Sequence, residues 1–480
     1  MFSTQTLTIN FFWRFFERCG AQFVALLVSI VLARILDPTA YGQIALITVF
    51  TTLLQVFIDS GLGTALIQKK NADSLDFSSV FYFNLVSSIV LYGGVFFAAP
   101  FIADFYDIPI LKNLIRVLAL TLVVSGVRNV QQSYISRNLL FKKFFFSTLA
   151  GSLVAAVVGV SMAYMDYGVW ALVWQQLVNV FVGTVVLWVT VKWRPRLEFS
   201  ILRLKGLYSY GWKLLVSSLL DTGYTQLRQL VIGKIYTAKD LAFYNQGNHF
   251  PTVVVQNINS SIDSVLLPAM SSEQDDNERV RSMTRRAIGV STYIMMPMMM
   301  MMVVCAEPLI RLVLTEKWLP CVPYLRIFCI TYAFWPVHTA NLNAIKALGR
   351  SDLFLKLEIA KKIIGILAVL VTMNISVMAM AYSLLVTSVL SQIINSWPNK
   401  KLLNYSYLSQ VKDMLPQIVL SIAMGAATFP VQFLDLSDVT VLILQVLVGT
   451  FFYIGLSKVL KMECFEYLLN VAKKSMAKRD

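Results

Sequence analysis

The chain is 480 residues long, 57% apolar and only 14% charged, with a formal net charge of +15. That composition lies well outside soluble averages and describes an all-α integral membrane protein with room for many spans. The basic residues sit in short segments between apolar runs, which is the pattern of cytoplasmic loops in a polytopic protein and argues against nucleic acid as a partner. Apolar windows of about 20 residues, enough to cross a core of roughly 30 Å as a helix, fall at 11–33, 41–62, 78–99, 113–134, 144–165, 169–191, 210–233, 242–268, 287–305, 322–345, 354–374, 377–397, 413–430 and 438–458. Fourteen transmembrane helices are expected. The runs are too long for barrel strands, which alternate over about ten residues.

The first run carries Arg14, Glu17 and Arg18, lacks a basic segment before it and a small-residue cleavage pattern after it, and is read as a retained helix. The five cysteines, Cys19, Cys305, Cys321, Cys329 and Cys464, have no ligand-like spacing and read as packing residues. A Cys305–Cys321 bridge outside the membrane is the alternative.

Residues 29–70 hold two apolar segments around a polar hairpin, and an ungapped match stands two hundred positions later. Arg34 meets Lys234, Ile35 meets Ile235, Thr52 meets Thr252, Ile58 meets Ile258, Ser60 meets Ser260 and Leu66 meets Leu266. Two structural repeats follow, and in a membrane protein these point to a transporter. Assigning alternate loops to opposite sides splits the loop and tail cations roughly 26 to 6, which places both termini in the cytoplasm. The expected layout is an N-lobe of six helices (1–191), a cytoplasmic linker (192–209), a C-lobe of six helices (210–400), and two further helices with a basic tail (401–480). Equal orientation of the copies makes them parallel repeats, related by an axis along the membrane normal. Basic and apolar residues together in the linker suggest an interfacial helix.

A charge at a helix centre costs about 2.5 to 3.5 kcal/mol on insertion scales, so such residues are expected to face protein or water. Lys213, Ser217, Asp221, Tyr224 and Arg228 recur at helical spacing and are expected to border a cavity. Thr48, Thr52, Gln55 and Asp59 form a second stripe, matched in the repeat by Asn248, Thr252, Gln256, Asn259 and Asp263. Both stripes are read as lining the cleft between lobes, with interhelical hydrogen bonding as the alternative. Arg14, Arg18, Arg128, Lys213 and Arg228 are the candidate anion-binding residues; Glu17, Asp221 and His249 are candidates for coupling to an ion. Glu358 and Lys362 read as a self-neutralising i, i+4 pair. Arg116 and Arg326 read as interfacial residues at the opposite mouth. His249 and His338 read more readily as packed residues than as proton carriers. No Walker A, GxSxG, HExxH or metal-spaced cluster is present, so a transporter without a cofactor is expected rather than an enzyme.

The stretches LARILDPTAYGQIAL, DSGLGTALIQKK, RNLLFKKF, LLPAMSSEQDD and LTEKWLPCVPYLRIFC resemble Wzx-type polysaccharide flippases of the multidrug/oligosaccharidyl-lipid/polysaccharide exporter superfamily, particularly the colanic-acid branch. The resemblance implies a bacterial inner-membrane protein that moves an undecaprenyl-diphosphate-linked oligosaccharide to the outer leaflet by alternating access. It also implies H+ or Na+ as coupling ion, and polymerase and chain-length proteins as further partners besides membrane lipids. Arginine and lysine in a low-dielectric cavity suit a diphosphate through charge-assisted hydrogen bonds. A cation-coupled multidrug antiporter of the same fold would favour an acidic or aromatic cavity instead, and a non-transporting scaffold would use the stripes only to hold helices together.

Overall fold

The computed structural model describes residues 20, 24–59 and 61–476, so Arg14, Glu17, Arg18 and Cys19 lie outside the described residues. Among these residues all regular structure is helical. The chain forms α1 (Val24–Ile35), α2 (Pro38–Asp59), α3 (Leu62–Gln68), α4 (Ser74–Phe105), α5 (Leu111–Leu118), α6 (Leu120–Arg137), α7 (Phe141–Tyr164), α8 (Val169–Thr190), α9 (Ile201–Ile235) and α10 (Ala238–Ser271). It continues as α11 (Asn277–Val304), α12 (Ala306–Leu314), α13 (Val322–Tyr332), α14 (Trp335–Ala347), α15 (Ser351–Thr372), α16 (Val377–Leu402), α17 (Tyr407–Thr428), α18 (Asp438–Val459) and α19 (Glu463–Met476).

Among the described residues, nine helical stretches are long and apolar enough to cross a membrane. The long helices α9, α10 and α15 are not among them, because they hold the polar residues: α15 alone carries Lys356, Glu358, Lys361 and Lys362. Large apolar side chains such as Phe97, Phe101, Val189 and Phe451 stand largely exposed on the outside of the helices. Such an exterior is stable only against lipid, where helices satisfy their own backbone polar groups. The protein is therefore a multi-pass membrane protein.

Two compact units make up the chain, Met1–Ala242 and Phe243–Asp480, and the boundary falls one helix further along than the 192–209 linker. In the first unit α7 buries Ser147, Gly151, Ala155, Gly159 and Ala163, one small residue per turn, against α8. Small side chains let two membrane helices approach closely enough for dispersion and backbone contacts to replace the hydrophobic effect that lipid does not supply. The Ser147 hydroxyl uses that proximity to donate to the Gly183 carbonyl at 2.7 Å. In the second unit α18 repeats the spacing with Val441, Gln445, Gly449, Tyr453 and Ser457.

Proline inside a span removes one N–H and leaves the carbonyl four residues earlier without its helical partner. Pro100 in α4 frees the Phe96 carbonyl, and Arg116 of α5 answers it: Nε donates at 3.2 Å and the guanidinium lies 4.1 Å from the Phe96 ring. Pro297 in α11 frees the Tyr293 carbonyl, and the Tyr453 hydroxyl donates to it at 2.9 Å. Arg326 donates to the Val303 carbonyl at the end of α11 at 3.3 Å. Both arginines assigned to the opposite mouth thus cap backbone carbonyls of a neighbouring helix.

The repeated hairpin is visible in the helix ends. α1 stops at Ile35 and α9 at Ile235; α2 starts at Pro38 and α10 at Ala238. Each turn is closed locally, by Asp37 accepting from the Thr39 N–H at 2.8 Å and by a reciprocal Thr237 and Asp240 capping pair at 3.1 Å in both directions. The copies then diverge. The first breaks at Gly61, whose φ of 67° lies in the left-handed region, while α10 runs on through Pro251 and Pro268. A Cβ on Gly61 would stand 2.4 Å from the Gly211 carbonyl oxygen of α9, so glycine is required there twice over, by the backbone turn and by the approach of α9.

Three expectations are corrected. The 192–209 linker does not form a separate interfacial helix: residues 192–199 are non-helical, with a bend at Leu197, and are held by the buried Ser78 and Ser79 hydroxyls, which accept at 3.0 Å from the Arg196 and Ser200 N–H groups respectively, and the rest is the start of the 35-residue α9. Cys305 and Cys321 are free thiols and form no bridge. Glu358 pairs with Lys361 at 2.6 Å, the i, i+3 neighbour, instead of the expected Lys362.

Candidate functional site

The polar stripe of α2 opens onto a cavity of about 350 Å³ inside the first unit, lined by Thr48, Thr51, Thr52, Gln55 and Asp59 with Thr121, Ser125, Gln176 and Val180. Helical spacing of four places Thr48, Thr52 and Asp59 on one face; α6 and α8 close the other walls. Thr48 turns its hydroxyl back to the Ile44 carbonyl at 2.7 Å, which satisfies it without a partner helix. Asp59 accepts from Gln55 Nε2 at 3.2 Å and from Asn129 Nδ2 at 3.0 Å, while the same Asn129 amide also donates to the Ile58 carbonyl at 3.3 Å. The wall is thus one carboxylate among neutral hydroxyls and amides, a surface that can hydrogen-bond sugar hydroxyls or hold a small cation. Thr121, Ser125 and Asn129 recur every four residues on α6 with Arg128 and Gln132 beside them, a local signal that singling out Arg128 alone had passed over.

Arg128 belongs to this part of the unit. With the Gln132 carboxamide turned so that its oxygen faces the guanidinium, Gln132 accepts from Arg128 Nε at 2.8 Å and Nη2 at 3.0 Å. Arg128 also lies close to α8, where a Cβ on Gly183 would stand 3.9 Å from Nη1. Along α9 exposure falls as the stripe proceeds: Lys213, Ser217 and Asp221 are exposed, Tyr224 is half-buried and Arg228 is only 9% exposed. A buried guanidinium carries a desolvation cost of several kcal/mol, which makes it a residue kept for an anion or for a specific partner.

On α10 the polar stripe holds the second unit together. Asn248 Oδ1 accepts from the Tyr332 hydroxyl at 2.7 Å and from Thr252 Oγ1 at 3.2 Å; Asn259 Oδ1 accepts from Thr339 at 2.6 Å; Asp263 Oδ1 accepts from Asn343 Nδ2 at 2.9 Å. α10 is thereby laced to α13 and α14, the interhelical alternative for these residues. Among the described residues the first unit carries a single counterpart of this lacing, Asp59 to Asn129 of α6, and leaves the rest of its stripe facing the cavity. His249, a coupling candidate, is exposed on α10 beside the Phe250 ring. His338 instead sits in a polar cluster, with Asn395 at 3.1 Å from Nδ1 and Ser388 at 3.5 Å from Nε2.

The loop cations at one end of the first unit serve as helix caps. Arg137 donates to the carbonyls of Leu66 at 2.7 Å, Lys69 at 2.6 Å and Lys70 at 2.9 Å, so it closes the C-terminus of α3. Lys143 closes α8 through the Thr190 carbonyl at 2.7 Å. Asp76, fully buried, takes Lys69 Nζ at 2.7 Å and joins Asp73 in a capping box at the start of α4. Hydrogen bonding from the Asp76 N–H, helped by the nearby Arg203 and Lys69, holds the Asp73 carboxyl below its ordinary range.

The helices define a multi-pass helical membrane protein, and comparison with solved structures makes the fold specific. The chain superposes on the lipid II flippase MurJ in an inward closed conformation with a TM-score of 0.76 at 14% identity, covering 93% of this chain and 99% of that one. An inward-facing multidrug resistance transporter of the MATE family in the MOP superfamily matches with a TM-score of 0.63 at 14% identity, over 83% and 95% of the two chains. The protein belongs to the polysaccharide biosynthesis protein family, whose model matches residues 31–323. Relatives include the lipopolysaccharide biosynthesis protein WzxC of Escherichia coli K12, 26% identical over 82% of each chain. The succinoglycan biosynthesis transport protein ExoT of Rhizobium meliloti is 24% identical over 72% of this chain and 70% of its own, and the teichuronic acid biosynthesis protein TuaB of Bacillus subtilis 23% over 79% and 80%.

Proposed function

We propose that this protein is a flippase that carries a lipid-linked oligosaccharide across the bacterial inner membrane for surface polysaccharide assembly. The observation that carries the reading is Arg228, a guanidinium buried on the long polar helix α9 in a chain of the polysaccharide biosynthesis family. The family membership names the pathway, the MurJ-like fold supplies a frame on which a lipid-linked sugar is moved, and a buried arginine suits the diphosphate that joins lipid to glycan. Arg14, Arg18, Arg128, Lys213 and Arg228 are the anion-binding set, and Thr48, Thr52 and Asp59 offer hydrogen bonds to the glycan. Both termini face the cytoplasm, and an H+ or Na+ gradient drives the cycle through Glu17, Asp221 or His249. Undecaprenyl diphosphate is the lipid carrier, with polymerase and chain-length proteins acting next on the exported unit.

The test is a clean deletion in a strain without redundant flippases. Lipid-linked repeat units accumulate on the cytoplasmic leaflet, and Arg228→Gln reproduces the defect at normal protein abundance. Normal surface polysaccharide in the deletion sinks the reading. A cation-coupled multidrug antiporter of the same fold is the second reading, favoured by the cavity whose one charged lining residue among the described residues is Asp59; it predicts raised sensitivity to cationic drugs with polysaccharide intact.

A further inference from the structure

The second unit holds a cavity of about 770 Å³ at the junction of α11, α17 and the α18–α19 turn, within the range of small-ligand sites. Four cations line it, Arg285, Arg286, Lys412 and Lys461, against two carboxylates, Asp413 and Glu463. Among the described residues only Arg285 of these four is ion-paired. Arg285 Nη2 donates to Asp413 Oδ1 at 2.8 Å, and the other Asp413 oxygen accepts from the Tyr405 hydroxyl at 2.7 Å, so this pair is fixed from both sides. Arg286 lies 5.0 Å from the Tyr467 ring of α19, an orienting contact that leaves its N–H groups available. Among the described residues no carboxylate forms an ion pair with Arg286, Lys412 or Lys461.

A second observation is independent of charge. Gln417 lines the same cavity at 5% exposure, its Nε2 donates to Cys464 Sγ at 3.5 Å, and its buried Oε1 has no hydrogen-bond partner among the described residues. A buried carboxamide oxygen left unpaired costs about 1 to 3 kcal/mol, so it marks a place for a donor.

We propose that this cavity binds a phosphate-bearing group that also carries a hydroxyl: the cations take the phosphate oxygens and Gln417 Oε1 takes the hydroxyl. The N-terminal ends of α11 and α17 meet the C-terminal end of α18 here, so the cavity opens where spans end and either an anionic lipid headgroup or a soluble phosphate compound can reach it. The site is built from the second unit alone and does not depend on which cargo the protein carries.

Native mass spectrometry of the full chain, purified from membranes containing phosphatidylglycerol and phosphatidylethanolamine, reads the lipid source; thermal melts of delipidated protein with inorganic pyrophosphate read the soluble one. Retention of phosphatidylglycerol over phosphatidylethanolamine, or a melting temperature raised by pyrophosphate, supports the site and identifies its source. The triple variant Arg286→Gln, Lys412→Gln, Lys461→Asn weakens that binding by at least about tenfold; Asn suits position 461 because its φ is 48°. Glu463→Gln, which removes an opposing carboxylate, strengthens it, so a gain as well as a loss is demanded of the same cavity. Gln417→Leu keeps the anion but loses preference for phosphatidylglycerol over phosphatidic acid. Absence of both responses in the native chain, or binding unchanged in the triple variant, overturns the proposal.

Discussion

Arg137 shows how much of the loop charge in this protein serves backbone carbonyls. Its guanidinium takes three of them at the end of α3, and Arg137→Ala is expected to cost about 2 kcal/mol, since hydrogen bonds from a charged donor each contribute roughly 1.5 to 3 kcal/mol and water replaces part of the loss. A thermal melt in detergent measures it. Asp73 gives a pH signature with a determined sign. Its carboxyl is held below the ordinary range, so its contribution is present at neutral pH and is lost as pH falls through the folded value. Asp73→Asn, which keeps a capping side chain, is expected to lower the melting temperature at pH 7, with the gap to the native chain closing as the medium is acidified below the ordinary carboxyl range; a gap that widened in acid would contradict the capping role. Arg116 and Tyr453 make the same point for uncharged demand: each answers a carbonyl that a proline has freed. A proline in a span announces that need in the sequence, but the residue that meets it comes from another helix and is not announced.

At the level of elements, small residues at every fourth position set which faces meet. Gly61→Ala is expected to destabilise by about 2 to 4 kcal/mol, from a left-handed backbone without glycine and from overpacking against α9. Gly223→Ala, on α9 with open space around it, is the matched control and is expected to leave stability within about 0.5 kcal/mol or raise it slightly. Comparing the two melts separates the combined cost of the left-handed turn and the approach of α9 from the general effect of replacing a glycine. The stripe residues show where pattern reading stops. Thr48 and Asn248 occupy matching positions in the two repeats, yet the first lines a cavity and the second accepts from Tyr332. Period and polarity report that a face is polar; they carry no information on whether a cavity or a neighbouring helix lies opposite.

For the whole molecule, α17 to α19 are part of the second unit's core. Tyr293 of α11 packs with Leu420, Met424, Tyr453 and Met462, and its hydroxyl donates to Ser457 at 2.8 Å. A chain ended after Leu402 is therefore expected to fall in steady-state abundance by at least several-fold, measured by immunoblot of membranes, because it uncovers both the apolar cluster and the Tyr293 carbonyl freed by Pro297. The membrane class, the helical character, the hairpin repeated at a distance of two hundred residues and the polar stripes were all legible in the sequence, because each depends on spacing along one chain: the length needed to cross lipid, the 3.6-residue turn, the cap residues of a helix start. The tertiary structure alone decided that Glu358 pairs with Lys361, that residues 192–199 stay non-helical on Ser78 and Ser79, that Asp59 shares a cavity with Thr121 and Gln176, and that Asn248 and Asn259 of α10 bond to α13 and α14. Those outcomes depend on which groups from distant segments reach hydrogen-bonding distance, and in lipid, where every buried polar group needs a partner, that choice is made by packing rather than by the local sequence.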